Sequence, residues 1–311
     1  MSGPTRFRPG TLWSQIVQRA QDARARGSLQ PIATEMRIIR DHGVQFQVRA
    51  VSSLVRKKQA SDNRASDPNQ RAATANPFLP YEQDLFVADV SPTHLCLLNK
   101  YNVIDHHVLV VTREFEAQEG PLTQRDFEAL WACMAEYDAL GFYNSGTSAG
   151  ASQPHKHLQL VPLPLAVDTR LPVEPLLASA PPHGDIVRID RLPFAHAFVG
   201  LDAARLRSPS AAADYTIDLY RSMLATVGVA DREAMPLALP PYNLLATREF
   251  MWIIPRSHSH FRTVSVSALG FAGSFFVAEP SASEIIESVG PLEVLRQVSY
   301  EASGPAGRFI P

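Results

Sequence analysis

The stretch His155-Lys156-His157-Leu158-Gln159-Leu160-Val161 limits the possible folds more than any other part of the chain. The segment 155–163 (HKHLQLVPL) reads as a strand, and strand side chains alternate between faces. His155, His157 and Gln159 therefore share one face, while Lys156 and Leu158 share the other. Three polar side chains on one face are costly inside a core unless each is satisfied. Just upstream, SGTSAGASQP (145–154) is rich in Gly, Ser and Ala. Such backbone approaches a ligand closely and offers several N–H groups to an anion.

A small-residue cradle leading into two histidines suits chemistry at phosphorus. A neutral imidazole, with an ordinary pKa near 6.5, is a good nucleophile at neutral pH. His157 lies between His155 and Gln159 on its face, so both can flank the group it attacks. Two histidines at i, i+2 can also ligate a metal, but no third ligand is evident nearby. A satisfied structural pair is the remaining alternative. His258 and His260 repeat the spacing after Pro255, in what reads as a loop rim.

Composition sets the boundaries. With 311 residues, 45% of them hydrophobic, the chain can bury a large core, and a net charge of −2 excludes a generally basic nucleic-acid coat. Two cysteines, Cys96 and Cys133, support neither a disulfide framework nor a four-cysteine zinc site. MSGPTRFRPG has no apolar signal core, and no apolar run approaches the ~20 residues of a membrane span. The expectation is a soluble cytoplasmic protein with no nucleic-acid or membrane partner. The 29 basic residues comprise 25 arginines and four lysines: Lys57, Lys58, Lys100 and Lys156. A lysine retained against such a bias is expected where a compact ammonium is needed, as at a phosphate.

Periodicity predicts a helix over 11–27, a strand over 44–55 and a polar, small-residue loop over 59–76. Strands follow at 84–90, 94–99 and 106–112, then a helix from Thr123 to about 140 and a short strand at 142–144. The Pro-rich stretch 162–184 reads as a linker or an irregular crossover. The second half offers a helix near 212–228, strands near 242–247 and 249–255, a Gly/Ser segment (265–275), and short helices near 283–289 and 291–298. This order suggests an α+β fold with a largely antiparallel sheet flanked by helices. EFMWIIPRSH faintly echoes HHVLVVTREF, which hints at internal duplication. We divide the chain into a catalytic half, 1–165, and a divergent half, 166–311, that completes the site.

GASQPHKHLQ (150–159) resembles the active-site motif of the ATP adenylyltransferases, or diadenosine tetraphosphate phosphorylases, of the histidine-triad superfamily. NPFLPYEQDLFVADVSPTH, LLNKYNVIDHHVLVVTREF, FYNSG, YNLLATREFMWIIPRSH and SVSALGFAGSF follow the same family in order, across most of 44–277. The resemblance implies a histidine-triad-like fold and a reaction in which histidine takes AMP from a dinucleoside polyphosphate and passes it to phosphate. ADP and ATP would be the products, reversibly. By the same resemblance His157 is the nucleophile, and Gln159 replaces the third histidine of the hydrolase branch. His155 orients its neighbour or the phosphate. Asn144 and Gly150, Ala151, Ser152 and Gln153 match nucleotide-contacting positions, as do Asn99, Lys100 and Lys57. Ser267, Ala268, Leu269 and Ser274 fall where relatives have further contacts, and Ala278 stands where a lysine is expected.

No cofactor is required by this chemistry, a divalent ion such as Mg entering only with the polyphosphate. A monomer is expected, since a duplicated chain has less need of a partner. Two other readings stay open here. A hexose-1-phosphate uridylyltransferase also carries His-x-His-x-Gln, but with proline between the histidines. A non-catalytic nucleotide sensor would bind without turnover.

Overall fold

The computed structural model describes residues 6–51, 76–231 and 235–302. Lys57 and all of the 59–76 loop except Asn76 lie outside the described residues. The expected first helix is present as α1 (Leu12–Arg26), which buries Leu12, Ile16 and Ala23. It stops at Gly27, whose φ of 78° lies in the left-handed region that glycine adopts without steric cost. A hairpin of β1 (Thr34–Asp41) and β2 (Val44–Val51) follows. β1 was not anticipated, because most of its residues are exposed and carry no clear apolar alternation.

The centre of the molecule is one eight-stranded sheet. Its strands are β3 (Phe86–Asp89), β4 (His94–Leu98), β5 (Val108–Thr112), β6 (Ala139–Ser145), β7 (His157–Pro162), β8 (Ala197–Gly200), β9 (Tyr242–Ala246) and β10 (Phe250–Pro255). They lie in the order β3-β4-β5-β7-β6-β9-β10-β8, and every neighbouring pair is antiparallel. Helix α2 (Gln124–Met134) joins β5 to β6, and α3 (Pro209–Thr226) follows β8 and precedes β9. The order β5-β7-β6-β9-β10-β8 thus reads as two copies of one strand–helix–hairpin unit meeting back to back at β6 and β9. Topology makes β10 the counterpart of β7. The echo between the β10 and β5 sequences therefore does not mark equivalent strands, because β8 takes the place of β5.

One face of the sheet, carrying Tyr143, Leu158, Leu160, Leu244, Met251 and Ile253, packs in a single apolar cluster with α2 and α3. Trp131 on α2 donates to Thr216 Oγ1 on α3 at 2.8 Å. α2 begins with a capping box, Thr123 and Asp126 satisfying each other's backbone amides. It ends at Met134, short of the expected residue 140. The next residues are needed for β6, which runs so close beneath the helix that a Cβ on Gly141 would come within 2.8 Å of Leu130.

The other face, carrying Phe142, Val161, Leu245, Trp252 and Ile254, is covered by a second layer. That layer comprises β1, β2 and β11 (Ser274–Val277), a turn of helix α4 (Ala268–Phe271), and helices α5 (Pro280–Val289) and α6 (Pro291–Gln297). Over β4 and β5 the same face meets a separate small cluster containing Phe78, Leu95, Leu97 and Val111. The face carrying His157 and Gln159 lies between these two coverings. Among the described residues, no helix is long and apolar enough to cross a membrane.

Candidate active site

At the start of β7, His157 Nδ1 lies 2.8 Å from the main-chain carbonyl of His155. A carbonyl only accepts, so Nδ1 carries the proton and Nε2 keeps the lone pair. Burial lowers the His157 pKa from the ordinary 6.5 to about 4, so the ring is neutral at physiological pH. The tautomer and the charge state are both those of a nucleophile.

The residue that selects this tautomer is His155, but through its carbonyl rather than its ring. The ring is held elsewhere: Nδ1 accepts from Asn76 Nδ2 at 2.8 Å, and Nε2 donates to the Thr112 carbonyl at 2.8 Å. Phe78 packs against both histidines, with ring centroids 5.5 and 5.4 Å away. Lys156 points to the opposite face, as alternation requires, and bonds Glu116 at 2.6 Å and the Pro121 carbonyl at 3.1 Å.

The strands carrying the site are held apart at one point. Register places Asn144 of β6 opposite His157, but the ladder stops two positions earlier, at Phe142 and Gln159. The fully buried carboxamide of Gln118 fills the gap. Its Nε2 donates to the carbonyls of Asn144 and His157, and its Oε1 accepts from the His157 amide at 2.9 Å. In the other half the equivalent strands pair directly, Asn243 with Ile254.

Gln159 is oriented by a partner not anticipated from sequence. His107 Nε2 donates to Gln159 Oε1 at 3.0 Å, while Asn99 Nδ2 donates to His107 Nδ1 at 3.1 Å. Burial holds His107 neutral, its pKa lowered to about 4. The two acceptor positions are thus occupied internally, and the Gln159 NH2 remains for a ligand. Asn99, His107, Phe142, Asn144, Gly150, Ser152, Gln159, Ser267 and Leu269 line one cavity of about 160 Å³. A larger cleft of about 890 Å³, lined in part by Leu163, Arg170 and Phe250, contains none of the candidate residues.

The remaining candidates divide. Ala268 donates its amide to Asn144 Oδ1 at 3.0 Å, and the Ala151 amide bonds the Gly146 carbonyl at 3.1 Å. Gln153 is half-buried beside the cavity-lining Ser152. Ser274 lies buried in β11, outside the cavity lining, with no side-chain partner among the described residues. Lys100 is paired with Glu82 at 2.6 Å, and that bond raises its pKa.

Gly150 is demanded twice over. Its φ is +92°, and an added Cβ would come within 3.0 Å of both the Val266 carbonyl and Ser267 Cα. Replacing Gly150 by alanine should cost about 1–3 kcal/mol of stability and push the 266–268 segment out of the cavity. Denaturant unfolding and substrate titration check both effects; an alanine variant with unchanged stability and KM would refute this close fit.

Comparison with known proteins bears directly on this arrangement. The family model for the Ap4A phosphorylase N-terminal domain matches residues 2–179, and that for the ATP adenylyltransferase C-terminal domain matches 190–301. The chain belongs to the Ap4A phosphorylase family. Its curated relatives in Saccharomyces cerevisiae include diadenosine 5',5'''-P1,P4-tetraphosphate phosphorylase 2, 26% identical over 86% of this chain and 87% of the relative. Protein APA1 of the same yeast is 25% identical over 85% and 86%. Among solved structures, yeast Ap4A phosphorylase Apa2 superposes with a TM-score of 0.79 at 22% identity, over 97% of this chain and 98% of its own. The same yeast protein in complex with Ap4A gives 0.77 at 21% identity, over 96% and 100%. The fold is therefore that of the Ap4A phosphorylases, the expected α+β arrangement. Both halves of the sheet fall within the matched models.

Proposed function

We propose that this chain is a nucleotidyltransferase that cleaves diadenosine tetraphosphate with phosphate, giving ADP and ATP through an adenylyl group carried on His157. The observation that carries this reading is the state of one ring: the His157 imidazole is neutral, with its tautomer fixed so that Nε2 keeps the lone pair, on the strand face it shares with the cavity-lining Gln159. In the first step the Nε2 lone pair forms a bond to the α-phosphorus while the bond to the bridging oxygen breaks, and ATP departs. Positive charge gathers on the imidazole as it does so, and the Nδ1–H bond to the His155 carbonyl strengthens in response. The Gln159 NH2 donates to a non-bridging oxygen.

In the second step an oxygen of phosphate attacks the same phosphorus, the N–P bond breaks, and its electron pair returns to Nε2. ADP is the product. ATP is a weakly basic leaving group and phosphate is already an anion, so neither step needs the acid or base that Gln159 is unable to supply. Two displacements at one phosphorus leave its configuration retained. Family membership and the yeast relatives named as Ap4A phosphorylases support this choice of substrate.

The test is incubation with diadenosine tetraphosphate, with and without phosphate, and chromatography of the products. ADP and ATP in equal amounts, formed only with phosphate, are expected. AMP as the main product in the presence of phosphate would reject the proposal.

A further inference from the structure

The register of the sheet identifies a residue that sequence patterns left unassigned. Tyr143-Asn144 on β6 and Tyr242-Asn243 on β9 occupy matching places in the two halves, with Asn144 directly opposite Asn243. In the first half Gln159 lies across from Phe142. In the second, Arg256 follows β10 and donates its amide to the carbonyl of Pro241, the residue in the place of Phe142. Arg256 is thus the counterpart of Gln159.

Its guanidinium is almost wholly buried, with 1% of the residue exposed, yet no carboxylate lies against it among the described residues. All five N–H groups end on neutral oxygens. Nε donates to the Val298 carbonyl at 3.1 Å, one terminal nitrogen to the Ala149 carbonyl at 3.3 Å and Asn243 Oδ1 at 2.5 Å, and the other to the carbonyls of His258 at 2.7 Å and Val266 at 2.9 Å. Phe271 packs over the group, its ring centre 5.2 Å from Cζ. A buried cation with no counter-ion is costly to keep, and its burial lowers its pKa to about 9.

A guanidinium has donors and no acceptor, so it fixes the direction of everything bonded to it. The Asn243 atom facing it must be the oxygen. Asn243 Nδ2 is then turned away and donates to Asn144 Oδ1 at 2.8 Å and to the Ala149 carbonyl at 2.9 Å. Asn144 Oδ1 is thereby filled, since it also accepts from Ala268 N at 3.0 Å. What Asn144 has left to offer the cavity is Nδ2, a donor. The same guanidinium holds the carbonyls of Ala149 and Val266, the two segments pressed together at Gly150.

We infer that Arg256 is a positioning residue for nucleotide binding: it fixes Asn243, which fixes Asn144 with its N–H turned toward the phosphate-bearing ligand. This relay rests on the nucleotide reading of the cavity proposed above. It also accounts for the buried cation, whose field reaches an anionic ligand through two polar amides.

Calorimetric titration with AMP tests the relay in wild type, N144A, N243D and N144A/N243D. Asn243→Asp preserves size and gives Arg256 an ionic partner, so the thermal midpoint should hold or rise. Its second oxygen, however, faces Asn144 Oδ1 and the Ala149 carbonyl with no hydrogen between them. AMP should bind N243D about tenfold more weakly or worse, whereas adding the change to N144A should cost nothing further. Arg256→Lys retains the charge but loses the fork, and should weaken AMP binding with Asn144 present and not in N144A. Wild-type affinity in N243D, or losses that multiply in the double variants, would overturn the relay alone. A wild type that fails to bind AMP would overturn the nucleotide reading together with it.

Discussion

Replacing His157 by alanine should reduce turnover by about 10⁴-fold or more while the chain stays folded. The large factor follows from the absence of a substitute. His155, the nearest imidazole, has both ring nitrogens committed, one to Asn76 and one to Thr112. His107 is committed to Asn99 and Gln159. Among the described residues, neither of these imidazoles is free to attack in place of Nε2. The fold should survive, because the backbone at this point is held by Gln118 rather than by the ring. The lowered pKa adds a pH signature. Protonation would remove the lone pair, and with a pKa of about 4 the neutral form persists well below pH 6.5. In rapid assays, kcat/KM should keep its acid limb near pH 4. A nucleophile of ordinary pKa would lose about nine-tenths of its activity by pH 5.5. Circular dichroism and steady-state rates of H157A decide the first point, and turnover within tenfold of wild type would refute it.

Gln159→Glu is expected to produce the second large loss, about 10²–10³-fold in kcat. The change is isosteric, so packing is not the cause. Oε1 accepts from His107, which leaves the NH2 of Gln159 as the donor facing the phosphate. A glutamate puts an anionic oxygen in that place, removes the donor and repels the substrate. His107 is next to it, and its pKa should rise with a carboxylate as neighbour. Lowering the pH should not restore Gln159→Glu, because a protonated His107 keeps the carboxyl ionised down to the pH at which His157 itself loses its lone pair. Activity equal to wild type at neutral pH would show that this amide does not touch the reacting phosphate.

How far the site was legible depends on the range of each interaction. Alternation alone put His155, His157 and Gln159 on one face and Lys156 on the other, and the structure agrees for each. Thr123 as a helix cap was equally local. The groups that tune the site are remote in sequence. Gln118 reaches His157 across 39 positions, His107 reaches Gln159 across 52, and Asn76 reaches His155 across 79. No periodic pattern encodes such contacts, although adjacent His106 and His107 at the head of an apolar strand offered a signal for one of them. Lys100, expected at a phosphate, is paired with Glu82, which itself lies 18 residues away. Strands β1 and β8 went unseen for opposite reasons: β1 is largely exposed, and β8 is a four-residue apolar run too short to show a period.

The central claim is that adenylyl transfer passes through Nε2 of His157. Incubation with diadenosine tetraphosphate in the absence of phosphate, followed by intact-mass and peptide mass spectrometry under neutral conditions, tests it most directly. The account predicts that the protein gains the mass of one adenylyl group, that fragmentation places it on His157, and that added phosphate discharges it as ADP. An unmodified protein that still releases ADP and ATP when phosphate is supplied, or an adduct on any other residue, would contradict it.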